Sequence, residues 1–167
     1  VKRKKRPEVS EKTPRTEAFW QDFCRQCATA PAGYDVVGFG DTPAMLDELG
    51  ALVVSGRKRA TAGLLRDFSE TGAPVPAAGD FVIVVRGDGG PLCIYQSTDV
   101  RVGPLSSVDA QFAWDEGEGD RNRDWWLAAH RDFFQRQAAA EGFAFHGDIE
   151  TVFERFRVVW PADLADH

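Results

Sequence analysis

The sequence predicts a single α+β domain with a partly closed, mostly antiparallel sheet. Three observations carry this. The chain has 167 residues, 43 % hydrophobic and 28 % charged, the composition of one globular unit with its own core. Helical patterns are mixed with short strand patterns that do not alternate regularly with them, as expected of an α+β order. Gly87-Asp88-Gly89-Gly90 also joins two β-patterned runs as a hairpin turn, which makes their pairing antiparallel.

The elements follow in order. Residues 1–16 lack aromatic and large aliphatic side chains beyond Val1 and Val9, so they read as a disordered basic tail. A helix is expected from Thr16, because Phe19, Trp20, Phe23, Cys24 and Cys27 fall on one helical face. Ala30-Pro31-Ala32-Gly33 closes it. A second helix has Thr42 as N-cap and Pro43 in its first position, with Met45, Leu46, Leu49, Leu52 and Val53 as its apolar face. Gly56 stops it in left-handed geometry, and Arg57, Lys58 and Arg59 follow at the negative end of its dipole.

Ala60 to Leu65 reads as a strand, and so do Phe81–Val85 and the run from Leu92 to Val102 across the hairpin. Ser106 or Ser107 is placed to cap a short helix through Phe112. Asp115-Glu116-Gly117-Glu118-Gly119-Asp120 is a polar loop. Residues 122–140 form the longest helix, capped by Asn122 or Asp120, with Trp125, Trp126, Ala129, Phe133 and Phe134 on one face. Thr151 to Trp160 is a closing strand stopped by Pro161, and 161–167 is a C-terminal tail.

Charge is unevenly divided. Residues 1–16 hold seven Lys/Arg against two Glu, a net of +5, so the remainder carries −11 of a total of −6. An acidic body argues against a broad phosphate-coating surface and leaves room for a local pocket. The tail is the part whose charge suggests contact with nucleic acid. No apolar run approaches the ~20 residues of a membrane span. The basic start runs into Pro7, Glu8 and Ser10 with no apolar core behind it, unlike a secretory signal. Three cysteines are too few for a disulfide framework and fit a reducing cytoplasm.

Most site signatures are missing. There is no phosphate-binding GxxxxGK[ST], no HExxH and no GxSxG. Cys24-Arg25-Gln26-Cys27 lacks a second ligand pair and reads as two small hydrophobes on a helix. The acidic loop does not have calcium-loop spacing, so neither a metal nor a cofactor is expected. The aromatic residues of the long helix are spaced for packing before base stacking, and His130 reads as a packing or surface residue on the same helix.

One constellation is more specific. Gly56-Arg57-Lys58-Arg59-Ala60-Thr61 reads GxKxxT at a helix-to-strand junction. With Phe39-Gly40-Asp41, the run Leu52 to Ala62, Gly79-Asp80, Glu116 to Asp120, Trp126 with His130, and Glu154-Arg155-Phe156, it resembles the ASCH domain, a relative of the PUA RNA-binding barrel. The match is closest to the YhfF-like branch and spans residues 17–160. The resemblance implies a small PUA-like, mostly antiparallel β-barrel flanked by helices, with a cleft at GxKxxT that binds RNA or a modified nucleoside. Some family members resemble ribonucleases. Another branch hydrolyses the amide of N4-acetylcytidine with the motif lysine as nucleophile, the threonine activating it, and a glutamate of the acidic loop. Carried over, these catalytic roles fall on Lys58, Thr61 and Glu116. Glu118 competes with Glu116, and Arg57, Arg59 and Glu118 are expected to bind substrate.

Lys58 and Thr61 would face opposite sides of a regular strand, so their convergence requires a turn or bulge after Gly56. A nucleophilic amine must be uncharged. Arg57 and Arg59 disfavour the Lys58 cation, while the helix C-terminus and a carboxylate favour it. A cationic Lys58 suits binding as an anchor, and a desolvated neutral one suits hydrolysis.

Overall fold

The computed structural model describes residues 10–167. The elements are α1 (Pro14–Cys24), β1 (Asp35–Val37), α2 (Pro43–Val54), β2 (Ala60–Leu64), α3 (Leu65–Thr71), β3 (Phe81–Val85), β4 (Pro91–Pro104), α4 (Ala110–Glu116), α5 (Arg123–Glu141) and β5 (Glu150–Trp160), with a 3₁₀ turn at Leu105–Ser107. One five-stranded sheet has the order β1-β3-β4-β5-β2. Among the described residues only β1 and β3 pair in parallel, and the other three pairings are antiparallel. The sheet curls into a half-barrel with β1 and β2 at its edges.

Period-two alternation divides the core. Val82 and Val84 pack with Val53 of α2, Tyr95 and Phe156, while Ile83 and Val85 pack with Trp20 and Phe23 of α1. Farther along the sheet, Phe153 meets Phe112 of α4 and Trp126 and Phe134 of α5. The long strands β4 and β5 pair through two register shifts, at Ile94/Tyr95 and Ser97/Asp99. Shifts of this kind increase local twist and bend the ladder. Helices α2, α4 and α5 thereby come together over the start of β2.

Several elements depart from expectation. Residues 1–9 of the expected 1–16 tail lie outside the described residues. Residues 10–16 are instead built into the fold. Ser10 N donates to Val36 O at 3.0 Å, Thr13 caps α1 through Thr16 N, and Thr16 is buried. With Thr13 as the cap, the helix starts at Pro14, two residues before the expected Thr16. Its end is Cys24, so Cys27 lies beyond it. The cap of α4 is Asp109, which accepts from Phe112 N at 2.7 Å, whereas Ser107 Oγ turns back to Pro104 O. Asp115 and Glu116 belong to the helix rather than the loop.

Strand β1 and helix α3 are additional elements of three and seven residues, too short to display a period. The 161–167 segment is also no free tail. Leu164 packs against the α2 side of the sheet, and Asp166 pairs with Arg59 at 2.8 Å and accepts from Val158 N at 2.8 Å. No helix among the described residues is long and apolar enough to cross a membrane.

Candidate functional site

Helix α2 ends as its sequence dictates. Gly56 takes φ 85°, a conformation that suits glycine. The Arg57 and Lys58 amides then turn back to Leu52 O at 3.0 Å each. Strand β2 begins only at Ala60, so Lys58 stands in the turn before it and is free of strand alternation. This is how Lys58 and Thr61 come to line one cavity.

The second wall comes from α4. Gly117 ends that helix at φ 75°. A Cβ there would lie 2.2 Å from Arg57 O, so only glycine allows this approach. Arg57 reinforces it by donating from Nε to Gly117 O at 2.6 Å and from a terminal nitrogen to Gly119 O at 3.1 Å. Arg59 N donates to Asp115 O at 2.7 Å. Glu116 and Glu118 flank the glycine, and both reach Lys58. Its Nζ lies 2.7 Å from Glu118 Oε1 and 3.6 Å from Glu116 Oε1, and 5.0 Å from the centre of the Phe39 ring. Lys58 is 1 % exposed, Glu116 3 % and Glu118 20 %.

The third wall is α5. Trp126 Nε1 donates to Glu116 Oε2 at 2.5 Å, and His130 Nε2 lies 3.0 Å from Glu116 Oε1. One turn apart on the helix, the two rings stack with centroids 3.7 Å apart. His130 Nδ1 lies 2.9 Å from Trp126 O, so with a proton on each ring nitrogen both contacts are hydrogen bonds.

Burial by itself would raise the Glu116 carboxyl. The charges of His130 and Lys58 and the hydrogen bonds from His130 and Trp126 overcome it and hold the carboxyl near a pKa of about 2. Burial likewise opposes the His130 cation, but the Glu116 charge and hydrogen bond, helped by Glu118, lift its pKa above the ordinary 6.5. Glu116 is therefore a fixed anion that orders Lys58, His130 and Trp126 around itself.

The cavity so formed has a volume of about 280 Å³. Its polar lining includes Lys58, Thr61, Glu116, Glu118 and His130, and its apolar lining includes Phe39, Met45, Leu49, Trp125 and Phe133. That size is just below the ~300–1,000 Å³ of typical small-molecule sites. An amine, a hydroxyl and two carboxylates can orient one small ligand there, and the carboxylates can receive its N–H groups. Among the described residues no cluster of three or more His, Cys, Asp or Glu is arranged to hold a metal ion.

Of the residues named from sequence, Lys58, Thr61, Glu116 and Glu118 meet in this cavity. Arg57 and Arg59 do not line it. Arg57 holds the backbone of the acidic loop. Arg59 reaches Asp166, Val53 O and Lys58 O on the far side of the turn. Their positions on either side of Lys58 send them elsewhere. His130 joins the site, contrary to its reading as a packing or surface residue. The available signal was its i+4 spacing from Trp126, which puts both over the same turn of α5.

A family model described as the ASCH domain matches residues 35–160. Among solved structures, the chain is similar to a protein from Enterococcus faecalis V583 assigned to the family DUF984, with 35 % identity, 86 % of each chain covered and a TM-score of 0.78. It is also similar to an ASCH domain from Lactobacillus crispatus JV V101, with 29 % identity, 87 % of this chain and 94 % of the other covered, and a TM-score of 0.78. No curated protein matches it.

Proposed function

The chain belongs to the ASCH-domain family, and from that premise we propose that it binds RNA or a modified nucleoside, with one base seated in the Lys58 cavity. The observation that carries this is the convergence of Lys58, Thr61, Glu116, Glu118 and His130 in one cavity with aromatic walls. Aromatic faces stack on bases, and carboxylates accept from an exocyclic amine such as cytosine N4. Two carboxylates in the cavity and the acidic body oppose a run of phosphates, so the base or nucleoside itself is the unit recognised.

Titrating the intact protein with cytidine, N4-acetylcytidine and a short single-stranded RNA tests the reading. A charge-assisted hydrogen bond contributes about 1.5–3 kcal/mol. Lys58→Ala should therefore weaken binding by roughly ten- to a hundredfold. Equal affinities for wild type and variant would remove the proposal.

A second reading makes the same cavity hydrolytic, cleaving a nucleoside amide or RNA. Its motivation is the 2.7 Å contact between Lys58 Nζ and Glu118, with Glu116 0.9 Å farther off at 3.6 Å. A carboxylate at that distance can take the proton an amine must lose before attack. Glu118 suits that proton transfer better than Glu116, which His130 and Trp126 already hold. Thr61 would orient the amine or the attacked carbonyl. Incubation at high enzyme concentration with N4-acetylcytidine and with RNA, with and without magnesium, decides it. No turnover of either substrate excludes this reading for both.

A further inference from the structure

Trp114 is 54 % exposed, and among the described residues Val102 is the one other large hydrophobic left in solvent. Helix geometry explains the exposure. Trp114 stands two residues before Glu116 on α4, and positions two apart on a helix point to nearly opposite sides. Burying Glu116 at the cavity therefore turns Trp114 outward. The Arg121 guanidinium lies over the indole, 3.9 Å from its centre, and Arg121 Nε donates to Trp114 O at 3.0 Å.

Arg121 reaches the ring from an unusual backbone. Among the described residues it is the one non-glycine with positive φ, at 56°, a left-handed conformation that side chains other than Asn and Asp seldom adopt. Its N–H is fixed there by Glu118 O at 3.1 Å. Such conformations gather at functional sites. Arg57, also exposed, joins this surface, since Arg121 approaches Arg57 O at 3.4 Å. Both guanidiniums are held by backbone oxygens, Arg57 by Gly117 O and Gly119 O, and Arg121 by Trp114 O and Arg57 O. Among the described residues neither is paired with a carboxylate, and the neighbouring Asp115 is engaged by Arg155 at 3.0 Å. Two uncompensated cations thus stand beside an open indole, on a body whose charge beyond residue 16 is −11.

A planar aromatic face next to free guanidiniums is complementary to a nucleobase and its phosphate. A protein partner fits less well, because one indole is not the contiguous apolar core that a stable interface buries. The surface is also built on the loop that forms the cavity: Glu116 and Glu118 reach Lys58, while the Gly117 and Gly119 carbonyls take Arg57. We propose that Trp114, with Arg121 and Arg57, is a second nucleotide subsite, for single-stranded RNA. A base flanking the one in the Lys58 cavity stacks on the open part of the Trp114 ring, and its phosphate takes the two guanidiniums. Two arginines serve one phosphate rather than a run. The proposal rests on the base-binding reading of the cavity and extends it from a nucleoside to an oligonucleotide.

The test is ¹⁵N-indole NMR of the intact protein, with the Trp114 signal assigned by its absence in Trp114→Phe, during titration with cytidine and with the RNA tetranucleotide CCCC. The tetranucleotide should move the Trp114 signal in step with saturation, and cytidine should leave it in place. Stacking of one base is worth about five- to a hundredfold in affinity. Trp114→Ala should weaken the tetranucleotide by that factor and leave cytidine unchanged. A tetranucleotide that moves the Trp126 indole and not Trp114 overturns this proposal and leaves the cavity reading standing. One that moves Trp114 and not Trp126 supports the subsite and removes the cavity reading. A Trp114 signal that follows protein concentration rather than RNA assigns the surface to a second copy of the chain and overturns the proposal. Equal tetranucleotide affinity in wild type and Trp114→Ala overturns it as well.

Discussion

Replacing Glu116 by Gln removes the buried anion that Lys58, His130 and Trp126 share, and its size follows from the structure. The Glu116 carboxyl is held near a pKa of about 2 against an ordinary 4.5, a difference worth about 3 kcal/mol. Removing one partner of a buried pair independently suggests about 3–5 kcal/mol. Lys58 keeps Glu118 at 2.7 Å, so the lower figure applies. The sign of the pH dependence follows from the directions. The depressed Glu116 contributes stability that is complete above pH 4.5 and lost as pH falls through about 2. The raised His130 contributes stability that is complete below pH 6.5 and lost as pH rises through its folded value. These are two views of one ion pair and do not add. Urea unfolding of Glu116→Gln should therefore show a loss of about 3 kcal/mol at pH 6. NMR titration of the His130 ring should show its midpoint, above 6.5 in the wild type, falling below 6.5, because burial is then opposed mainly by Glu118 and the Trp126 carbonyl. Unchanged stability and an unchanged His130 midpoint in the variant would show that Glu116 does not hold this cluster together.

Other expectations follow from the same geometry. Gly117→Ala places a methyl 2.2 Å from Arg57 O at a φ of 75°, so it should cost about 1–3 kcal/mol from backbone strain alone. It should also weaken ligand binding by displacing both glutamates, which unfolding and titration would read together. Arg57→Ala removes the bonds to Gly117 O and Gly119 O. Hydrogen exchange of residues 117–121 should speed up while the amides of β4 stay protected. Deleting residues 1–9, which hold five Lys/Arg and one Glu, should lower affinity for RNA and flatten its salt dependence while leaving nucleoside binding unchanged. An unchanged salt slope would deny the tail a role.

What was legible in the sequence was local. Thr42-Pro43 and Gly56 bound α2, Gly87 to Gly90 turns the hairpin, and the cap of α5 was narrowed to Asn122 or Asp120, of which Asn122 serves, because each is a backbone requirement met within a few residues. The GxKxxT run named Lys58 and Thr61, and the acidic loop named both glutamates. Their meeting was not legible, since it depends on α4 ending at Gly117 against Arg57, sixty residues away. Arg57 and Arg59 looked like substrate ligands because charge was visible and direction was not. His130 looked like packing because its partner Glu116 lies on another helix. Gln137 carried no signal at all, since its partner Asp67 lies seventy residues away.

An NMR titration of the intact protein with cytidine and N4-acetylcytidine, following the Trp126 indole N–H and the His130 ring, tests whether a base occupies the Lys58 cavity. Both groups contact Glu116, which lines the cavity, so a base seated against Glu116 should move their resonances in step with saturation. Those shifts are expected for at least one of the two nucleosides, together with their loss in Lys58→Ala. Saturable binding that leaves both resonances unmoved, or no binding of either nucleoside, would contradict that placement.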